Sequence, residues 1–371
     1  MIYLDNAATT PVEKDIAQVF YDNLINIKGN PSALHGLGIS AENVLENARE
    51  TIAKALNITK NEFYFTSGGT ESNNFAIKGI LDIKKSGTVI STEFEHPSVL
   101  ECLKLYENKF NIIYLKPENG IITAESFEKA LTNDTIFISI MHVNNETGAV
   151  NPIEKMAETV KKNGIKAVFH SDCVQSFTKI DFDCSKIDLA SFSGHKNHAP
   201  KGIGGIYVKK GLNIKPLIHG GGQEKSLRSG TPNVAGAAAW AKSIEKLTEN
   251  LDLRQKYVQK LYDEFSDELK KLGLIINEPK ITSKYIMSVI FPQFLAENIL
   301  QFLSQNEIYV SAGSACSAKK TSHVLKAVGI ENKWQKSVLR FSFSHLNTEN
   351  ELKITQEVIK KAINSLIKIG K

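Results

Sequence analysis

The chain of 371 residues is 42% hydrophobic and 23% charged, an ordinary globular composition with length for one large core and a smaller one. Its 45 basic and 40 acidic residues leave a net charge of +5 with the basic side chains scattered, so no patch points to direct nucleic-acid or membrane-surface contact. No apolar run approaches the roughly 18 to 20 residues that span a bilayer. Residues 1–6 lack the basic start and apolar centre of a signal peptide, and a cytoplasmic protein is expected.

In chain order, residues 1–14 are short and turn-rich and are expected to pack with a small C-terminal domain. From about 40 to 210, apolar β-type runs alternate with segments of helical period, which predicts an α/β fold: a mainly parallel mixed sheet flanked by helices. Ala41, Val44, Leu45, Ala48, Ile52, Ala55 and Leu56 fall on one helical face. Strands are expected at 63–65, 88–91, 135–143, 167–170 and 189–193. Three of them end on polar groups: His142 and Asn145, His170 and Asp172, and Ser193 to Lys196. Ligands of such sheets sit at the carboxyl ends of strands. The stretch from about Val234 to Leu272 predicts long, densely charged helix that bridges a large domain, 15–250, to a small α/β domain, 251–371. Strands at 286–291, 308–311 and 339–344 and a helix after Glu349 are expected in the latter.

Five groupings carry chemistry. Lys196 follows a strand end among small residues and His195, a setting that suits a desolvated lysine able to attack a carbonyl. The run Ser67-Gly68-Gly69-Thr70-Glu71-Ser72-Asn73 joins a strand to a helix. Its glycines, the Thr70 hydroxyl and the helix start form a phosphate cradle, without the spacing of a P-loop or a dinucleotide fingerprint. Asp172, with Gln175 three residues on, is a carboxylate suited to holding the ring nitrogen of pyridoxal phosphate protonated, or else a plain helix cap. His96, in Glu95-His96-Pro97-Ser98, can stack on a cofactor ring and pass protons near neutral pH. Ser311-Ala312-Gly313-Ser314-Ala315-Cys316-Ser317-Ala318 surrounds one cysteine with very small residues, and Lys319 and Lys320 nearby favour its thiolate. The four cysteines, Cys102, Cys173, Cys184 and Cys316, are too few and too irregular for a disulfide framework or a zinc site, so no resident metal is expected.

These residues resemble the cysteine desulfurases of the NifS/IscS type, pyridoxal-phosphate enzymes of fold type I. The likeness runs through Tyr3-Leu4-Asp5-Asn6-Ala7-Ala8-Thr9-Thr10-Pro11, Gly29-Asn30-Pro31-Ser32, Thr66 to Asn73, Glu95-His96 and Met141 to Gly148. It continues through Asp172 to Gln175, Ser193 to Gly205, Arg228-Ser229-Gly230-Thr231, Gly313-Ser314-Ala315-Cys316 and Arg340-Phe341-Ser342. The resemblance implies that the large domain binds the cofactor and the small one carries the loop of the catalytic cysteine. Lys196 would form the internal aldimine and remove the Cα proton of bound L-cysteine. Asp172 would pair with the ring nitrogen, Gln175 with the ring hydroxyl, and His96 would stack on the ring. Gly69, Thr70, Ser193 and His195 would hold the phosphate, with Thr231 reaching it from the second subunit of a homodimer. Arg340, with Asn30 and Asn145, would receive the substrate carboxylate.

Cys316 would then attack the substrate sulfur, leaving a persulfide and releasing alanine. The persulfide sulfur would pass to an acceptor protein, an iron–sulfur scaffold or a tRNA-thiolation enzyme, and Cys316 could share a nascent cluster with such a partner. A selenocysteine lyase, a fold-related aminotransferase or decarboxylase, and a non-catalytic sulfur carrier are the alternatives. Ala199, where the family usually has Gly, and Cys173, where it usually has a small apolar residue, depart from the pattern beside the cofactor.

Overall fold

A computed structural model describes residues 1–312 and 322–367 of the chain. A two-residue strand, β1 (Ile2–Tyr3), is followed by α1 (Lys14–Asn26), α2 (Gly36–Ala55), β2 (Phe63–Thr66), α3 (Gly69–Leu81), β3 (Thr88–Thr92), α4 (Pro97–Lys104) and β4 (Asn111–Leu115). Then come α5 (Ala124–Ala130), β5 (Thr135–Ser139), α6 (Ile153–Lys162), β6 (Val168–Asp172), β7 (Leu189–Ser193) and β8 (Gly204–Val208). After α7 (Val234–Glu249) and α8 (Leu251–Lys271) follow β9 (Ile275–Asn277), β10 (Ile286–Ile290), α9 (Ala296–Gln305), β11 (Ile308–Tyr309), α10 (His323–Ala327), β12 (Val338–Ser342) and α11 (Glu349–Ser365).

The large sheet has the order β2-β8-β7-β6-β5-β3-β4. Neighbours from β7 to β4 are parallel, and β8 is antiparallel to both β2 and β7. Strand β2 therefore runs the same way as β7, and only β8 is reversed. The sequence-predicted mainly parallel mixed sheet is what the chain forms. Strands β2, β3, β6, β7 and β8 are buried at every residue, as expected for strands covered on both faces. One face carries a core with Phe63, Phe65, Phe127, Phe169, Phe192 and Trp240. The other is covered by α3 through Phe75, Ala76, Ile77 and Ile80, with Val89, Phe137 and Ile206 beneath.

Strands β12, β10 and β9 form a second, antiparallel sheet. It shares a core with α8 (Val258, Leu261, Phe265) and α11 (Ile359), and this core takes in Ile2, Leu4 and Ala7 from the N-terminus. Strand β1 pairs in parallel with β11. The single long helix predicted from 234 to 272 is two helices, because Asn250 leaves helical geometry at φ −133°, ψ 45°. Among the described residues, no helix is long and apolar enough to cross a membrane.

The direction of the strands positions the site. Because β2, β3, β5, β6 and β7 run the same way, their carboxyl ends share one rim. That rim gathers the turn after β2, His96 after β3, Asp172 ending β6, and Lys196 after β7.

Candidate active site

Lys196 closes a single 3-10 turn, Gly194–Lys196, directly after β7. Gly194 is needed there, since a Cβ would lie 2.8 Å from Cγ2 of Ile203. The ammonium of Lys196 donates to the carbonyls of Ala7 (2.6 Å) and Ala8 (2.5 Å). Burial, then the positive charge of Arg340, pulls its pKa down to about 8, against the opposing pull of Asp5 and Asp172. A lysine so placed is a free amine far more often than a surface lysine near neutral pH.

Asp172 is buried at the end of β6 and is held from two sides: the backbone N–H of Val174 donates to Oδ1 (3.0 Å) and Nδ2 of Asn73 to Oδ2 (2.7 Å). The same Asn73 amide donates to the hydroxyl of Ser98 (2.8 Å), and that hydroxyl lies 2.8 Å from Nδ1 of His96. Nδ1 of His96 also receives the backbone N–H of Ser98. An acceptor at Nδ1 leaves the proton of the neutral imidazole on Nε2. Burial lowers the His96 pKa and Lys196 and His323 add to this, so the neutral ring is favoured despite Asp172. A chain of four side chains thus joins carboxylate to imidazole. Behind it, fully buried Glu95 is pushed up to about 8 by desolvation, with a contribution from Asp172.

The turn between β2 and α3 lies against Ser193. A Cβ on Gly69 would come within 2.8 Å of Cγ2 of Val174 and 3.6 Å of Cβ of Ser193, so only glycine allows this approach. Gly204 is required for the same reason, a Cβ there falling 2.5 Å from Cα of Gly68. The first-turn N–H groups of α3 have no intrahelical acceptor and face an anion favourably. Glu71 in that turn accepts from the N–H of Ser67 (3.0 Å) and pairs with Nε of Arg228 (2.8 Å), which ties the loop bearing Thr231 to the cradle. His195 is kept neutral, its pKa lowered to about 4 by burial and by the charges of Lys196, Lys201 and Lys179. Its Nδ1 lies 3.1 Å from the Thr9 hydroxyl.

The N-terminal segment completes the floor. Nε2 of Gln175 donates to the Ala7 carbonyl (2.9 Å), and Nζ of Lys179 donates to Oε1 of Gln175 (3.1 Å). Arg340, buried on β12, donates from Nη2 to the Asp5 carboxylate (2.8 Å) and from Nη1 to the Asn145 carbonyl (2.8 Å), while its buried Nε has no partner among the described residues.

The structure brings Lys196, Asp172, His96, Gln175, Gly69, Ser193, His195, Arg340 and Asn145 to one region. Thr70 is exposed in the first turn of α3. It does not bring Asn30 or Thr231 there: Asn30 is exposed and accepts the N–H of Ser32, and Thr231 is exposed before α7. Cys316 lies outside the described residues. The residues flanking its segment are fixed beside the site, Ser311 by backbone pairing with Arg340 and Ser322 by donating to the Glu146 carboxylate (2.6 Å). Cys173 is fully buried with its thiol pushed up to about 12 by desolvation, which suits a packed side chain and no nucleophile. Ala199 is also fully buried, and its methyl is accommodated without left-handed backbone.

Sequence reasoning gave no role to Asn73, Ser98, Asp5 or Lys179. Asn73 offered a signal, standing four residues after Gly69 and so on the same face of α3. The donor set fits an anionic aromatic cofactor of the pyridoxal phosphate type. It offers a desolvated amine, a pinned carboxylate, a neutral imidazole and a glycine-lined helix start on one rim.

The Aminotransferase class-V family model matches residues 2–354. The cysteine desulfurase IscS of Methanosarcina thermophila is 36% identical over 98% of this chain and 92% of its own length. A solved NifS-like protein is 37% identical and superposes with a TM-score of 0.93 over 98% of this chain and 100% of its own. SspA in complex with cysteine is 33% identical, with a TM-score of 0.83 over 94% of this chain and 100% of its own. The chain belongs to the class-V aminotransferase family, among its cysteine desulfurases of the IscS/NifS type.

Proposed function

We propose that this protein is a pyridoxal-phosphate-dependent cysteine desulfurase that moves the sulfur of L-cysteine onto Cys316 and releases L-alanine. The observation that carries the reading is Lys196: a lysine buried after a strand end, its head on the Ala7 and Ala8 carbonyls and its pKa lowered to about 8. The bound cysteine in the SspA structure, a relative of the same fold, supports the substrate class.

When bound, the cofactor supplies an electron sink that makes the substrate Cα–H acidic and its C–S bond cleavable. Lys196 would hold it through Nζ and would take the proton from the substrate Cα. Asp172, fixed by Asn73 and Val174, keeps the ring nitrogen protonated, and Gln175 donates to the ring oxygen. His96 would stack on the ring with its proton on Nε2. The α3 amides at Gly69 and Thr70, with Ser193 and His195, receive the phosphate, and Thr231 of a second subunit adds to them in a homodimer. Arg340 takes the substrate carboxylate with the donor capacity that Asp5 and Asn145 leave over, its buried Nε included. The thiolate of Cys316 attacks the substrate sulfur: an S–S bond forms, the C–S bond breaks, and its electron pair is protonated on carbon to give alanine. The outer sulfur then passes to an acceptor protein in the cytoplasm, in iron–sulfur assembly or tRNA thiolation. The separate cores of the two sheets support a large cofactor-binding unit, 15–250, and a small one, 251–371, onto which 1–14 packs.

Borohydride reduction of the yellow holoprotein should fix the cofactor to Lys196, located by peptide mass. Cys316→Ser should keep the colour and lose sulfide release from cysteine. A reducible adduct in Lys196→Ala, or normal turnover in Cys316→Ser, refutes the assignment.

A further inference from the structure

Lys179 is a buried basic residue to which the proposed mechanism gives no part. Only 8% of its surface is exposed, and it forms no ion pair with a carboxylate of the described residues. The charged groups acting on it are cationic, Lys196 and Arg340, and it in turn acts on His195 and His198. Burial and those two cations pull its pKa down to about 7. A buried cation without a counter-ion is costly, and Thr178 before it takes left-handed backbone, φ 62°, to deliver it. That is a strained conformation for a β-branched residue.

The hydrogen bonds of Gln175 give the lysine a purpose. A carboxamide can present oxygen or nitrogen on either side, and its neighbours decide which. As an ammonium Lys179 can only donate, so Nζ must then face Oε1, at 3.1 Å; the Ala7 carbonyl can only accept, so it must face Nε2, at 2.9 Å. The amide is thereby locked from both ends. One N–H of Nε2 is used on Ala7, and the second is left to donate into the site. Ala7 alone is a weak lock, because its carbonyl is shared with Lys196 and that contact changes when Lys196 engages the cofactor.

We propose that Lys179 is a positioning residue for the desulfurase reaction: by holding Oε1 of Gln175 it keeps the amide N–H of that residue directed at the ring oxygen of the cofactor. This rests on the proposed cofactor and on the placing of Gln175 beside it. An N–H directed at that oxygen favours its anionic form, whereas a flipped amide would set oxygen against oxygen.

The test is a pH titration of the cofactor absorbance in the full-length, cofactor-loaded protein, with cofactor affinity measured by fluorescence titration of the apoprotein. Lys179→Met keeps the length and removes a buried cation, so its apoprotein should melt no lower than wild type. Its absorbance midpoint should move to higher pH by roughly one unit, and cofactor affinity should fall. Lys179→Arg, which keeps the donor, should return the midpoint toward wild type and serves as the second variant if the methionine protein folds poorly. In a Gln175→Ala background, Lys179→Met should add little further shift, since the lysine acts through the amide. An unmoved midpoint in Lys179→Met, a Lys179→Arg midpoint displaced as far as that of Lys179→Met, or an equal shift with and without Gln175 overturns the role of Lys179 alone. A wild-type protein that takes up no pyridoxal phosphate overturns the parent reading, and this one with it.

Discussion

Replacing Lys196 by Met should change how the stability of the apoprotein depends on pH, and the amount follows from the structure. In the fold the lysine titrates at about 8, against an ordinary value of 10.5, chiefly because it is buried. Between those values the unfolded chain binds a proton that the folded chain does not, so stability rises with pH across the window. Below about pH 8 the full penalty is present, and the separation of the two values corresponds to about 3 kcal/mol. The variant has no such penalty. It loses the hydrogen bonds to the Ala7 and Ala8 carbonyls, worth about 1.5–3 kcal/mol each as charge-assisted bonds. The two effects oppose one another at neutral pH, and the net change there should be small. The difference in their pH dependence does not cancel. Urea unfolding of both apoproteins at about pH 7 and about pH 10.5 should show wild type gaining most of that 3 kcal/mol relative to Lys196→Met. The tyrosines titrate in both proteins and drop out of the comparison, and Lys179, whose pKa the charge of Lys196 helps to lower, is taken out of it by making both measurements in a Lys179→Met background. Parallel stability curves across the window would refute the claim that the fold holds Lys196 as a poised amine.

Asn73→Ala should destabilise the protein by about 3 kcal/mol in denaturant unfolding, since it removes the donor of a buried carboxylate and of the Ser98 hydroxyl together. It should also weaken cofactor binding; a loss under about 1 kcal/mol would mean that Asp172 is held without it. Arg340→Lys should raise KM for cysteine at least tenfold and leave cofactor affinity unchanged, because a single ammonium cannot satisfy Asp5, Asn145 and a carboxylate in one plane. An unaltered KM places the substrate carboxylate elsewhere. Glu224→Gln should cost about 3 to 5 kcal/mol in unfolding free energy. The glutamate is bidentate to buried Arg49 (2.7 and 2.8 Å) and also accepts the N–H of Phe65.

What was legible in the sequence was local, and what was missed depended on distant neighbours. Strands β3, β6 and β7 are continuous apolar runs and declared themselves. Strand β4, Asn-Ile-Ile-Tyr-Leu, is half exposed at the sheet edge, and β8 starts with two glycines that read as loop. Its glycines are there because Phe63 and Gly68 come too close for any side chain. The break at Asn250 carries no proline or glycine to announce it. Among side chains, Lys196, Asp172 and Gly69 stood out because each has an unusual place relative to a strand end. Asn73 and Lys179 have ordinary places. Only the packing of α3 over β6 turns the first toward Asp172, and only burial of the turn after Asp172 turns the second toward Gln175.

The hardest part to read is a backbone atom. The carbonyl of Ala7 accepts from both Lys196 and Gln175, partners 189 and 168 residues away in the chain. Its residue type says nothing of this, since every residue has a carbonyl. What the sequence does encode is how the atom is carried there: β1 pairs with β11, Asn6 donates to the Ser342 carbonyl (2.8 Å), and the Ala7 N–H donates to the Ser342 hydroxyl (2.8 Å). The small sheet therefore holds the N-terminal segment, and that segment holds the amine and the amide of the large sheet. The same β12 supplies Arg340 two residues before Ser342. One strand thus sets both the floor under Lys196 and the guanidinium of Arg340 beside Asp5 and Asn145, so a shift of the small sheet would move both groups together.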